Sequence, residues 1–201
     1  MAKDVDEAQP QYHVDWRVIQ EFDTVKTLPL ALAENARKRS IGALNQILAD
    51  TMTLRDLYKK AHWQISGATF YQLHLLLDKH YEEQAAAVDK IAERIMSLGG
   101  ISYASPWDVA EATTLQRPPK GREDVPSNLS RLLEAHRKCL AYMREAAKEA
   151  TDYGDDGTND LIVSDLIRTH EPQVWFLAEH LAATPLLPAT SGEAGDQPPR
   201  G

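Results

Sequence analysis

One cysteine, Cys139, is all that the 201-residue chain holds, so no intrachain disulfide framework is available and a reducing compartment suits it. Cys139 sits within a helical pattern and reads as a small buried residue rather than a reactive thiol. No apolar run approaches the ~20 residues of a membrane span. The N-terminal MAKDVDEAQPQ also lacks the basic-then-apolar pattern of a signal peptide. A cytoplasmic protein with no membrane partner is expected. Basic residues are scarce: 22 Lys and Arg stand against 30 Asp and Glu, giving a net charge of −8. Generic electrostatic attraction to DNA, which needs clustered Lys and Arg, is disfavoured, whereas cations would be drawn in. No nucleophilic Ser or Cys motif stands out.

Proline and glycine are missing from Phe70 to Leu98, and that gap marks one long helix. On it, His74/Asp78 and Asp89/Glu93 are both i,i+4 pairs, each on one face. At about 100° per residue the four fall within a stripe roughly 100° wide. A separate apolar stripe, Leu73, Leu77, Ala87, Ile91, Ile95 and Leu98, faces the other way. Asp78 and Asp89 lie about 16 Å apart along a rigid helix, while metal bonds to His or carboxylate span only about 2 Å. The two pairs cannot share a metal within one chain. They can if a second copy lies antiparallel across a two-fold axis, which predicts a homo-oligomer with two shared sites per dimer.

Three further helices complete the pattern. The first is expected from about Pro29 to Ser66, with Ile41, Leu44, Leu48 and Met52 inward and His62 and Trp63 near its end, stopped by Gly67. Gly99-Gly100 ends the second helix. The connection over residues 101–125 is long and contains a short helix from about Pro106 to Thr113, N-capped by Ser105. A third long helix runs from about Ser127 to Tyr153 and is ended by Gly154. The fourth runs from about Asn159 to Ala183, with Pro172 removing one backbone bond. The chain divides into an N-terminal extension, 1–26, with Tyr12, Trp16 and Phe22 as anchors; a four-helix bundle, 27–184; and a Pro/Gly/Ser-rich disordered tail, 185–201.

The segments HWQISG, FYQLH, LLLD, VDKIAER and LGG, together with RTHEPQVWFLAEHL in the last helix, resemble the Dps family, the mini-ferritins of the ferritin-like superfamily. The resemblance implies an all-α, ferritin-like four-helix bundle with a short extra helix between helices two and three. It further implies a hollow dodecamer built from two-fold dimers. By the same resemblance, His62, His74 and Asp78 of one chain and Asp89 and Glu93 of its neighbour form an intersubunit ferroxidase centre. There Fe²⁺ is oxidised by hydrogen peroxide or O₂ and then stored as ferric mineral. Trp63, beside the site, would take part in electron transfer or pack at the interface. Asp160 or Asp165, at the start of the fourth helix, would line a three-fold pore for Fe²⁺; the acidic stretch DYGDDGTND otherwise reads as a solvated, capping turn.

The sequence departs from that family at two places. His80 and His170 fall in the middle of core stripes, the latter among Val163, Leu166, Val174, Leu177 and Leu181. They either meet each other in a buried hydrogen bond or add nitrogen ligands near the iron, favouring zinc or a different oxidant. The termini depart as well, because they are acidic where DNA-binding relatives are basic. Lys3 and Arg17 face Asp4, Asp6, Glu7 and Asp15, and Arg200 faces Glu193 and Asp196. Weak or no DNA binding is expected, against the alternative of a nucleoid-condensing protein with secondary ferroxidase activity. No Glu is followed three residues later by His, which disfavours a full-length ferritin with its site inside each bundle.

Overall fold

The computed structural model describes residues 17–182; Tyr12, Trp16 and the expected tail 185–201 lie outside the described residues. The elements are all helical: α1 Glu34–Gln64, α2 Phe70–Ser97, α3 Pro106–Ala112 and α4 Val125–Asp152. The last rod is composite. It runs as α5 Asp156–Asp160, a π-wound segment Leu161–Ile167, and α6 Arg168–Glu179. Among the described residues no helix is long and apolar enough to cross a membrane.

Local chemistry sets most of the boundaries. Ser105 and Asp108 form a reciprocal capping box that starts α3, with Pro106 in its first turn. Asp124 accepts from the Ser127 amide to open α4, and Asp155 accepts from the Thr158 amide to open α5. Between α2 and the short helix, Gly99 adopts φ +89°, and a Cβ there would stand 2.5 Å from the Lys26 carbonyl oxygen. The backbone therefore closes onto residues 20–26: the Lys26 amide donates to the Gly99 carbonyl at 2.8 Å, and Gln20 donates to the same oxygen. Phe22 stacks on Tyr103 with ring centroids 5.1 Å apart.

Two expectations are corrected. The first helix begins at Glu34 rather than near Pro29, because Ala31 takes a left-handed φ of 52° and turns the chain before any helix can start. On the last rod the buried side chains are Thr158, Ile162, Leu166, Ile167, His170, Gln173 and Leu177; Val163 is exposed and Val174 and Leu181 are only half-buried. The π winding from Leu161 to Ile167 is wider than an α-turn and rotates the face. Pro172, which has no amide hydrogen to donate, follows within α6.

The core joins Leu44, Leu48 and Leu54 of α1 to Leu73, Leu77, Ile91 and Ile95 of α2, with Leu129 and Met143 of α4 and Ile162 and Leu177 behind them. Cys139 is buried in it, and burial pushes its thiol well above the ordinary range. A band of polar side chains crosses this core: Tyr58, His80, Gln84, His136, His170 and Gln173 are all at most 1% exposed.

Candidate metal centre

The α1–α2 turn, with Gly67 at φ +108°, brings the end of one helix against the start of the next. It places His62 and His74 face to face, their rings stacked at 3.7 Å between centroids and 21° between planes. His62 Nδ1 donates to the His74 carbonyl at 2.8 Å, and His74 Nδ1 donates to the His62 carbonyl at 3.0 Å. A carbonyl only accepts, so each ring carries its proton on Nδ1 and leaves the Nε2 lone pair free. Each histidine thus fixes the tautomer of the other, as second-shell partners do for metal-binding imidazoles.

Asp78, one turn beyond His74, puts Oδ1 at 3.9 Å from His62 Nε2. The same oxygen accepts from Lys59 Nζ at 2.5 Å, and that hydrogen bond holds the Asp78 carboxyl below the ordinary carboxylate range against the opposing effect of burial. The Lys59 ammonium also lies over the Tyr81 ring, 4.4 Å from its centroid. Lys59 was not singled out from the sequence; its position three residues before His62, on the same helix face, was the available signal.

Asp89 and Glu93 lie farther along α2, both exposed, and neither has a hydrogen-bond or ion-pair partner among the described residues. One chain therefore brings His62, His74 and Asp78 together and leaves the other two carboxylates apart. Among the described residues no group of three His, Cys, Asp or Glu side chains converges into a full metal site. Around the histidines the surface is apolar and open: Trp63 is 70% exposed, and Phe70, Tyr71 and Leu75 are exposed beside it.

His80 and His170 are both fully buried, as their stripes require, but they do not hydrogen-bond to each other. His170 Nδ1 instead lies 3.0 Å from Nδ1 of His136 on α4, whose Nε2 lies 2.5 Å from the Tyr58 hydroxyl oxygen. His80 sets its ring edge-on to Tyr58, 5.2 Å between centroids, with neither nitrogen partnered among the described residues. Burial pushes His80 and His170 down to about 4, and burial with the neighbouring histidines pushes His136 well below its ordinary value. Burial thus favours the neutral form of all three rings. Sequence reading missed His136 and Tyr58, which lie at core spacing among residues that attract no notice.

Asp160 and Asp165 each have a partner within the chain. Asp160 accepts from Ser164, and Asp165 accepts from Lys90 at 2.9 Å. Of the acidic stretch, Asp155 is buried, holding Arg94 and capping α5.

Comparison with known proteins bears on the whole bundle. The family model for the ferritin-like domain matches residues 41–187. The structure of DpsC from Streptomyces coelicolor is similar, 58% identical with a TM-score of 0.84, covering 85% of this chain and 99% of that one. A Dps protein from Vibrio cholerae O1, described as a member of a broad superfamily of ferritin-like diiron-carboxylate proteins, is 27% identical with a TM-score of 0.73, covering 79% of this chain and 99% of its own. A DNA protection during starvation protein from Agrobacterium fabrum is 31% identical over 75% of this chain and 92% of its own length. The match spans most of the chain at these identities, and the chain belongs to the Dps family of mini-ferritins.

Proposed function

We propose that this member of an iron-handling family is a ferroxidase subunit, oxidising Fe²⁺ at centres shared between two copies and storing the ferric product inside a dodecameric shell in the cytoplasm. The observation that carries this reading is the reciprocal His62–His74 lock, which frees both Nε2 lone pairs and sets that of His62 3.9 Å from the Asp78 carboxylate. Asp89 and Glu93 of a second copy, unpartnered in their own chain, complete the set. Imidazole and carboxylate together suit Fe²⁺, and carboxylates also hold the harder Fe³⁺. The exposed Trp63, Phe70, Tyr71 and Leu75 give that second copy an apolar surface to cover.

On this reading iron is substrate and cargo, with hydrogen peroxide or O₂ as oxidant. Trp63 adjoins His62 at the covered surface, where an electron carrier would sit. Asp160 and Asp165 are the proposed pore carboxylates of the three-fold entrance, Asp165 after release from Lys90. His80 and His170 stay outside the ligand set because both are 0% exposed inside the bundle, whereas Asp78 and Trp63 lie at its open surface. The acidic composition supports weak or absent DNA binding, although the Agrobacterium relative is named for DNA protection.

The test is complementation between defective chains. His74→Ala and Glu93→Ala subunits, each inactive alone, are co-assembled and given Fe²⁺ anaerobically, then peroxide or O₂ separately, with ferric absorbance followed. Mixed assemblies should recover part of the activity, because some interfaces then carry one intact ligand set. Verified mixed assemblies with no recovery would place all five ligands within one chain's function and reject the shared centre.

A further inference from the structure

The Tyr58–His136–His170 string lies inside the bundle and outside the ligand set, yet Tyr58 is one helical turn from His62, about 6 Å along α1. Tyr58, His136 and His170 are all 0% exposed. Their hydrogen bonds admit two proton arrangements. If His136 donated to Tyr58, the phenolic hydrogen and the His170 Nε2 lone pair would both be orphaned in the core. If Tyr58 donates to His136 Nε2, His136 Nδ1–H donates to His170 Nδ1, and only the His170 Nε2 hydrogen lacks a partner. The second arrangement leaves fewer buried groups unsatisfied and is favoured. A neutral phenol is thereby joined to two neutral imidazoles that stand in line to take its proton. Burial supports these neutral states, raising Tyr58 and lowering both histidines.

A phenol is hard to oxidise while it keeps its proton and much easier once an acceptor receives the proton as the electron leaves. We propose that Tyr58 is a one-electron donor to peroxide reduction at the neighbouring iron site, with His136 and His170 as its proton relay. The inference rests on the ferroxidase reading. Reduction of hydrogen peroxide to two hydroxides takes two electrons, whereas one Fe²⁺ supplies one. Tyr58 supplies the second: it becomes a neutral tyrosyl radical, its proton passes to His136 Nε2, and the Nδ1 proton of His136 passes to His170 Nδ1. A second Fe²⁺ later returns the electron and the protons run back, so two Fe²⁺ and one peroxide yield two Fe³⁺ and two hydroxides. The arrangement suits a site where the Lys59 ammonium already occupies Asp78 and competes with an incoming ferrous ion. It also keeps a lone Fe²⁺ from releasing a hydroxyl radical. Because Tyr58 is fully buried, oxidants reach it by electron transfer rather than by contact.

The experiment loads assembled shells with one Fe²⁺ per ligand set anaerobically, adds peroxide, freezes the sample within milliseconds and records the electron paramagnetic resonance spectrum. Wild type should give a tyrosyl signal that narrows on ring-deuterated tyrosine. Tyr58→Phe should lose that signal, bind Fe²⁺ unchanged and release several-fold more spin-trapped hydroxyl radical. His136→Gln keeps an acceptor oxygen but no base, and should lose the signal as well. Ferric product without a tyrosyl signal, or with one that survives Tyr58→Phe, overturns the relay and leaves the ferroxidase reading standing. Failure to form ferric product rejects the ferroxidase reading instead. A flash-generated ruthenium(III) oxidant on iron-free shells then decides the relay separately: Tyr58 oxidation slowed in deuterated water supports it, and oxidation indifferent to deuterium or to His136→Gln overturns it.

Discussion

A cation arriving at Asp78 meets the Lys59 ammonium already seated on Oδ1. Binding there is an exchange, and removing the ammonium should favour the incoming ion. The pair is partly open to water, so its worth is about 0.2–1 kcal/mol. Lys59→Met, an unbranched side chain without the charge, should therefore tighten the first Fe²⁺ by up to about fivefold, as read by anaerobic calorimetry; weaker binding would show that Lys59 supports the site. His170 offers a second test at this scale. Its pKa falls from 6.5 to about 4 in the folded chain because burial disfavours the cation. Between those values the unfolded state binds a proton that the folded state refuses, so stability rises with pH across the window. Stability present at pH 7 should be lost as pH falls below 6.5 and be gone near 4, by roughly 3 kcal/mol at 1.36 kcal/mol per unit. Denaturant midpoints across that window measure it, and His170→Leu should flatten the slope. The histidines themselves were visible in the sequence, because His80 and His170 interrupt apolar stripes. Their partners were less plain: His136 stands four residues after Leu132 and three before Cys139, on the apolar stripe of α4, but its own helix does not reveal the tyrosine and histidine that it meets across the bundle.

At the scale of elements, glycine at the end of α2 is where backbone geometry leaves least latitude. Gly99 combines φ +89° with a Cβ position 2.5 Å from the Lys26 carbonyl oxygen, a backbone atom that cannot swing away. Gly99→Ala should lower stability by about 2 kcal/mol or more and free residues 20–26 from the bundle, visible as a lower Tm and faster amide exchange there. Gly42, inside α1 with nothing within 4 Å of its Cβ position, is the matched control; Gly42→Ala should stabilise by about 0.5–1 kcal/mol. Helix ends punctuated by Gly67, Gly99, Ser105 and Gly154 could be read directly from sequence, since each residue type acts locally. The start of α1 could not, because Ala31 carries no sign that it will adopt a positive φ. Nor could the register of the last rod: periodicity assumes 3.6 residues per turn, and the π-wound Leu161–Ile167 breaks that assumption.

Across the whole molecule, charge and assembly matter more than any single contact. With a net charge of −8 and more acid than base near both ends, the chain, and a shell built from it on the proposed reading, repels phosphate backbones. Mobility-shift assays at neutral pH should find little retained duplex DNA. Tight binding that weakens steeply with salt would contradict this, and removal of residues 1–20 would then show whether that segment is responsible.

The mutual anchoring of His62 and His74 carries a consequence for descent. Each ring is aimed by the other residue's main-chain carbonyl, and through it the two helices are pinned end to start. Because both acceptors are main-chain atoms, substituting either histidine leaves the other's hydrogen bond in place and removes only the stacked ring, so a lineage can change one member without unaiming the survivor. What the two positions inherit jointly is the closeness of the two helix ends, which the backbone supplies whatever side chain stands at either one.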